Sequence, residues 1–336
     1  MSPSGPGAAE PAAALTPEAR VALSRRPPPR DRVQALLESI DPGALLLRLR
    51  RLSGGISTRT FEVLYASGGR REAVVLRVYV PENYDSDSDS AAREWRTLRL
   101  LESAGVAAPA PLLLDAAGRH FGAPCIVTSR LPGAPIAHPN NWPSFLRQLA
   151  AALASVHALT PESADLSHLG ESQHSPSDER LAGPLTGPLA GDALAQRAWA
   201  ALQERRQAGM LPLSLVHDDY WPGNTVWHRG RLTGIVDWGS AGLGDRRTDI
   251  AQCRVDLTLM HGAERAHQFA AAYASIAGEA AVKDLWFWDA YLSLHALASL
   301  HYFEAGYIDL GLRDEDMQAR RQRLERFLED ALAQAG

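Results

Sequence analysis

The stretch at 215–239, LVHDDYWPGNTVWHRGRLTGIVDWG, constrains the chain more than any other. A short apolar run, Leu215 and Val216, changes abruptly into His217, Asp218 and Asp219. Pro222 and Gly223 break the backbone, and Asn224 follows. Two strand-like runs come next, 225–227 and 232–236, turned by Arg229 and Gly230. The second run ends in Asp237, Trp238 and Gly239. Asp219, Asn224 and Asp237 therefore stand at the ends of short strands joined by tight turns. Apolar strands rarely end in several carboxylate and amide oxygens without a use for them. Mg2+ takes hard oxygen ligands, usually a few from protein with phosphate and water completing the shell. Asn224 and Asp237 are the residue types for that role. Asp219 is a third oxygen group, able to take a proton from a hydroxyl. A hairpin with polar turn residues is the plain alternative, and the agreement of several polar positions with one hairpin weighs against it.

The spacing sharpens this reading. The order His, one residue, Asp, four residues, Asn is the catalytic-loop pattern of kinases. Here it is His217, Asp219 and Asn224, with Asp237-Trp238-Gly239 where D-F-G would stand. Asp218 takes the place of the usual Arg. His-x-Asp-x-x-x-Gly-Asn followed by Val-Asp-Trp-Gly resembles the aminoglycoside phosphotransferase family of small-molecule kinases. The resemblance continues through Gly242, Gly244, Asp245 and Asp249.

The resemblance implies an α+β, protein-kinase-like bilobal fold. An N-terminal antiparallel sheet lobe with one helix would be followed by a mostly helical C-terminal lobe. It further implies ATP and Mg2+ as cofactors and a small-molecule hydroxyl acceptor. Asn224 and Asp237 would bind the metal, Asp219 would be the base, and His217 would support the loop. Asp249 would brace that loop from the next helix.

Bulk properties agree with this. At 336 residues, a prior of ~150 residues per domain allows two lobes. Apolar residues make up 46 %, enough for a sizeable core. The net charge of −5 gives no nucleic-acid footprint. Two cysteines, Cys125 and Cys253, make no disulfide framework, which suits a reducing cytoplasm. No run of ~18 apolar residues suggests a membrane span, and no signal pattern opens the chain. We expect a cytoplasmic protein with no membrane or protein partner implied.

Residues 1–29, rich in Pro, Ala and Ser, read as a disordered extension with a short helix at 17–23. The N-lobe would be 30–131 and the C-lobe 132–336. Asp31 is a good N-cap for a helix through Ile40. Strands follow at 45–52, 60–65 and 73–80, turned at 67–70. Between the first two lies Ser53-Gly54-Gly55-Ile56-Ser57-Thr58, a turn that lets backbone amides approach phosphate. The resemblance makes Gly54, Gly55, Ser57 and Thr58 a phosphate-covering loop, although a full G-x-G-x-x-G is missing. A kinase carries Lys on the third strand. Here Arg77 is the only cation in the run, and the sole Lys of the chain, Lys283, lies far downstream. Arg can pair a diphosphate through parallel hydrogen bonds. An exposed strand Arg is the bland reading. The residues at 81–90 form an acidic loop. A helix at 91–104 carries Glu94, which the resemblance pairs with Arg77; a surface Glu is the alternative.

A further hairpin leads through 112–114 and 125–128 to an extended exit, where Ser129 and Leu131 would present backbone groups to adenine. Helices are expected at 142–159, 192–207, 249–259, 264–276, 282–304 and 314–335. His157 reads as a helix-end or packing histidine. Asp245 reads as a brace or an N-cap. On the long aromatic helix, His295, His301 and Glu304 are candidates for acceptor contact. The residues at 160–188 read as a variable insertion.

The favoured function is transfer of the γ-phosphate of ATP to a small-molecule hydroxyl: aminoglycoside-like, amino alcohol or sugar. A nucleotide-binding pseudokinase or scaffold is the alternative, supported by Arg77 alone. A protein kinase is disfavoured by Asp218 and Trp221 and by the missing Ala-Pro-Glu segment.

Overall fold

The structure is a computed structural model that describes residues 26–52, 58–79, 89–174, 181, 183–205, 211–312 and 316–335. The helix expected at 17–23, the residues Gly54, Gly55 and Ser57, and most of the acidic stretch at 81–90 lie outside the described residues. Two compact units emerge, one within Met1–Ala91 and Leu112–Val127, the other comprising Ala92–Pro111 and Thr128–Gly336.

The first unit is built on a sheet. Helix α1 (Arg30–Ile40) precedes β1 (Leu45–Arg51), β2 (Thr58–Ser67) and β3 (Arg70–Tyr79). β4 (Pro111–Asp115) and β5 (Cys125–Ser129) complete the order β1-β2-β3-β5-β4. β1–β2 and β2–β3 are antiparallel. The β2–β3 turn is tight because Gly68 and Gly69 both take positive φ, 54° and 77°, as a two-residue hairpin requires. Period-two alternation puts Val63, Val74, Leu76 and Val127 inward, where they pack with Val33, Leu36 and Leu37 of α1. Gln34 fastens helix to strand, accepting from Leu46 N at 2.8 Å and donating to Ala44 O at 2.7 Å. Asp31 is not the cap of α1: Pro29 holds that position and Asp31 lies in the first turn. Its charge still suits the positive end of the helix dipole.

The second unit is mostly helical. Helix α2 (Ser90–Ser103) falls largely in it, whereas a division at residue 131 keeps that helix with the sheet. Thr97 Oγ1 lies 3.2 Å from His168 Nε2, a contact within the second unit. Then come α3 (Trp142–His157), α4 (Ala193–Arg205), β6 (Ser214–Val216), β7 (Thr225–His228), β8 (Arg231–Ile235) and β9 (Gly242–Gly244). Helices α5 (Arg247–His261), α6 (Ala263–Ala277), α7 (Leu285–Ala298), α8 (Leu300–Asp309) and α9 (Met317–Ala333) complete it. The helix expected at 282–304 is two helices. Ser299 breaks it with a ψ of 27°, and its hydroxyl donates to His295 O at 2.7 Å. Serine bonding back to the i−4 carbonyl offers the backbone an alternative to the helical ladder. The buried faces of α5 and α7 are nearly continuous, which makes them the core of this unit. No helix among the described residues is long and apolar enough to cross a membrane.

Candidate active site

β6 and β9 pair antiparallel, Val216 opposite Gly242, so His217 follows directly on a ladder. From there the chain enters a bend that holds Asp218 at a φ of 62°. Aspartate tolerates this left-handed region better than most residues. Asp249, in the first turn of α5, captures the bend. Its carboxylate accepts from His217 N at 2.7 Å and from Asp218 N at 2.8 Å. His157 Nε2–H donates to the same carboxylate at 3.1 Å, and its Nδ1 meets the Tyr273 hydroxyl at 2.8 Å. Asp249 is fully buried. Burial opposes its charge, but His157 and His217 hold its carboxyl below the usual aspartate range.

Asp218 is buried too, and its side chain points into the fold. Ser172 Oγ donates to one oxygen at 2.6 Å and Gln173 N to the other at 2.9 Å. Burial and the neighbouring Asp249 carboxylate push Asp218 up to about 7. The residue in the place of the kinase Arg thus ties Ser172 and Gln173, within the stretch 160–188, to the loop that carries Asp219.

Asp219 is half-buried. Asn224 Nδ2 donates to its carbonyl and to its Oδ2, both at 2.8 Å. Asn224 is placed by a 3-10 turn, Pro222–Asn224, and its carbonyl accepts from Val236 N at 2.9 Å. Its amide is thereby fixed between Asp219 and the strand that leads to Asp237. Asp237 takes the left-handed conformation, φ 68° and ψ 58°, after β8. The Asp219 carboxyl is held well above the usual range, first by burial, then by the Asp237 carboxylate, then by Asp256. His217 is fully buried, donates from Nε2 to Val236 O at 2.9 Å, and lies against Trp238 with ring centroids 4.6 Å apart. It joins the loop to the segment carrying Asp237.

Asp219, Asn224, Asp237 and His217 thus come together, with Asp249 behind them. Asp245 does not hold the cap position of α5, which is Arg246; it accepts from Leu211 N at 3.0 Å and forms a buried ion pair with Arg247 at 2.6 Å. In the first unit, Arg77 is buried on β3 opposite Thr60, and Thr58 is buried at the start of β2 with its hydroxyl 3.1 Å from that of Thr60. Glu94 is buried in α2. Neither Arg77 nor Glu94 is the exposed residue of the bland reading. Ser129 donates its N–H to Ala110 O at 2.8 Å, and its hydroxyl accepts from Ala110 N at 2.8 Å, so its amide is committed to the chain beside it. Leu131 packs toward Gly234, where an added Cβ would lie 2.7 Å from Leu131 Cδ1. His295 is exposed and edge-on to His174, centroids 5.6 Å apart; His301 and Glu304 are exposed.

Four contributors were not read from the sequence. His157, expected as a helix-end or packing histidine, does end α3 and is buried, but it is also a hydrogen-bond partner of Asp249. Ser172 and Gln173 lie 46 and 45 residues from Asp218. Asp256, pushed up to about 7 by burial, accepts from Tyr307 and Gln252, each at 2.7 Å. Only the i, i+4 spacing of Gln252 and Asp256 could have been read from the chain.

A family model described as the phosphotransferase enzyme family matches residues 48–285. Viomycin phosphotransferase of Streptomyces vinaceus is 30 % identical over 158 residues, covering 44 % of this chain and 55 % of that protein. Homoserine kinase of Phenylobacterium zucineum (strain HLK1) is 29 % identical over 264 residues, 76 % of this chain and 77 % of that protein. The chain thus spans about half the length of the first of these relatives and about three quarters of the second. Among solved structures, a thermostable mutant of aminoglycoside phosphotransferase APH(4)-Ia, in ternary complex with AMP-PNP and hygromycin B, superposes with a TM-score of 0.60 at 20 % identity, covering 88 % of this chain and 98 % of that one. The shared fold is the α+β kinase-like fold that the loop motif implied. With a family model matching well over half of its length, the chain belongs to the phosphotransferase enzyme family.

Proposed function

We propose that this chain is an ATP- and Mg2+-dependent kinase that moves the γ-phosphate to a hydroxyl of a small molecule in the cytoplasm. The observation that carries the reading is the pair of hydrogen bonds by which Asn224 aims the Asp219 carboxylate, beside Asp237. A half-buried carboxylate of raised basicity is the group that takes a proton from an attacking hydroxyl. Asp219 is assigned that role. Asn224 and His217 hold it in place, and most of the rate would come from positioning rather than covalent chemistry.

The donor set fits Mg2+. Asn224 turns its nitrogen to Asp219, which leaves its amide oxygen as the hard donor, and Asp237 supplies a carboxylate within the same acid cluster. Asn224 and Asp237 would hold a divalent cation there, and it would offset the negative charge of the transferring phosphate. To Arg77, Thr58, Gly54, Gly55 and Ser57 we assign phosphate contacts, to Glu94 the support of Arg77, and to Ser129 and Leu131 a place beside adenine. Ser129 would do this through its carbonyl, since its N–H bonds Ala110. The names of the relatives suggest aminoglycoside-like compounds and amino alcohols such as homoserine as acceptors, with sugars as a further class.

The test is ADP release by the purified full chain with Mg-ATP across aminoglycosides, viomycin, homoserine, other amino alcohols and sugars. Acceptor-dependent ADP release with a phosphorylated acceptor is the expected result. Nucleotide binding without turnover on any acceptor would make the chain a binding module. Turnover on proteins alone would make it a protein kinase.

A further inference from the structure

Trp221 stands between Asp219 and Asn224 in the loop, and the roles assigned above do not use it. Its indole lies across Gly223: a Cβ added there would be 2.3 Å from both Cη2 and Cζ2. Its outer edge reaches Gly306 of α8, where an added Cβ would be 3.1 Å from Cη2. A glycine inside a helix is unfavourable relative to alanine, so the opening at Gly306 comes at a cost to α8 itself. The ring also meets Tyr307 edge to face, with centroids 5.9 Å apart at 71°. Tyr307 is itself fixed: it is buried, its hydroxyl donates to Asp256 at 2.7 Å, and the Arg320 guanidinium sits 5.0 Å over its ring. On the other side, Asn224 N donates to Trp221 O at 3.0 Å, closing the turn that aims the Asn224 amide at Asp219.

We propose that Trp221 is a positioning residue: its indole, seated between Gly223 and Gly306 and braced by Tyr307, fixes the turn through which Asn224 sets the Asp219 carboxylate. Helix α8 thereby gauges the catalytic loop from a distance in sequence. A residue that merely filled space would affect stability without affecting this turn in particular.

The test uses the full-length chain with Gly306→Ala, Trp221→Phe and the double variant. The first readout, amide hydrogen exchange over residues 219–225, needs no substrate. The second is kcat and KM for ATP with an acceptor, and this arm alone rests on the proposed function. Gly306→Ala pushes a methyl against the indole. It should speed exchange in the turn about tenfold and lower kcat roughly ten- to a hundredfold, with KM for ATP near wild type. The phenyl ring lacks the outer indole atoms that reach Gly306, so Trp221→Phe alone should also speed exchange in the turn and lower kcat, and adding Gly306→Ala to it should change little further. Unchanged exchange in Gly306→Ala would overturn the proposal. So would unchanged exchange in Trp221→Phe, or exchange that rises evenly along the chain. If the wild type turns over no acceptor, the proposed function falls, and the exchange measurements still decide the role of Trp221.

Discussion

The side-chain amide of Asn224 donates to both the carbonyl oxygen and Oδ2 of Asp219, each at 2.8 Å. One residue therefore fixes backbone and side chain of the proposed base together. The same amide must turn its oxygen away from Asp219, toward the role of cation ligand. In the proposed mechanism, orientation of the base and binding of the metal would be coupled in this single side chain.

Asp237 tests the metal half of that coupling. Its left-handed backbone is one that Asn also adopts readily. Asp237→Asn should keep the fold and remove one negative charge. Titration with Mg2+ at fixed ATP should show a rightward shift in the activating concentration of at least about tenfold. An unshifted titration would remove Asp237 from the metal site.

Asp249 carries the loop mechanically. Its carboxylate accepts from His217 N, Asp218 N and His157. Asp249→Ala leaves buried donors without their acceptor and should cost roughly 3–5 kcal/mol in urea unfolding. Because its folded pKa lies below the ordinary 3.8, its contribution is present above that value and is lost as pH falls through the folded value. Acid unfolding of Asp249→Asn should accordingly show less pH dependence below about pH 4 than wild type.

Asp218 acts with the opposite sign. Its folded carboxyl, at about 7, lies above the 3.8 of an ordinary aspartate. Between these values the folded chain keeps a proton that the unfolded chain has released. Stability should therefore decline as pH rises across that window and level off above it. Asp256, also at about 7, contributes a decline of the same sign. Urea midpoints from about pH 5 to about pH 8 should fall less steeply in Asp218→Asn and in Asp256→Asn than in wild type. A wild-type slope in both variants would contradict these assignments.

Gly133 marks the exit from the sheet. Its φ is 106°, and a Cβ there would sit 2.0 Å from Trp227 O. The neighbouring Ala134 pairs with Trp227 through bonds of 3.1 and 2.9 Å. Gly133→Ala must break that close approach and should cost roughly 2–4 kcal/mol of unfolding free energy. A thermal midpoint equal to wild type would show that the backbone can shift there freely.

Local pattern made the hairpin at 225–235 legible: alternation, and a turn at Arg229 and Gly230 that both take positive φ. The spacing of His217, Asp219 and Asn224 was legible for the same reason, since one bend brings them together. Helices α3, α6 and α9 followed from apolar period. The break at Ser299 did not, because the apolar pattern runs through it and only a side-chain-to-backbone bond interrupts the ladder. His157, Ser172 and Tyr307 were illegible as site residues. Each reaches its carboxylate partner across at least 46 residues of chain, and no local period encodes such a contact. The buried state of Arg77 and Glu94 was likewise a matter of packing, not of their own residue type.

The central claim is that Asp219 accepts the proton of an acceptor hydroxyl. The most direct measurement is single-turnover phosphoryl transfer by Asp219→Asn, beside its affinity for a non-hydrolysable ATP analogue. Asparagine keeps the shape and cannot take the proton. Transfer should fall about 10²–10⁴-fold while analogue affinity stays near wild type. Transfer at the wild-type rate would contradict the account.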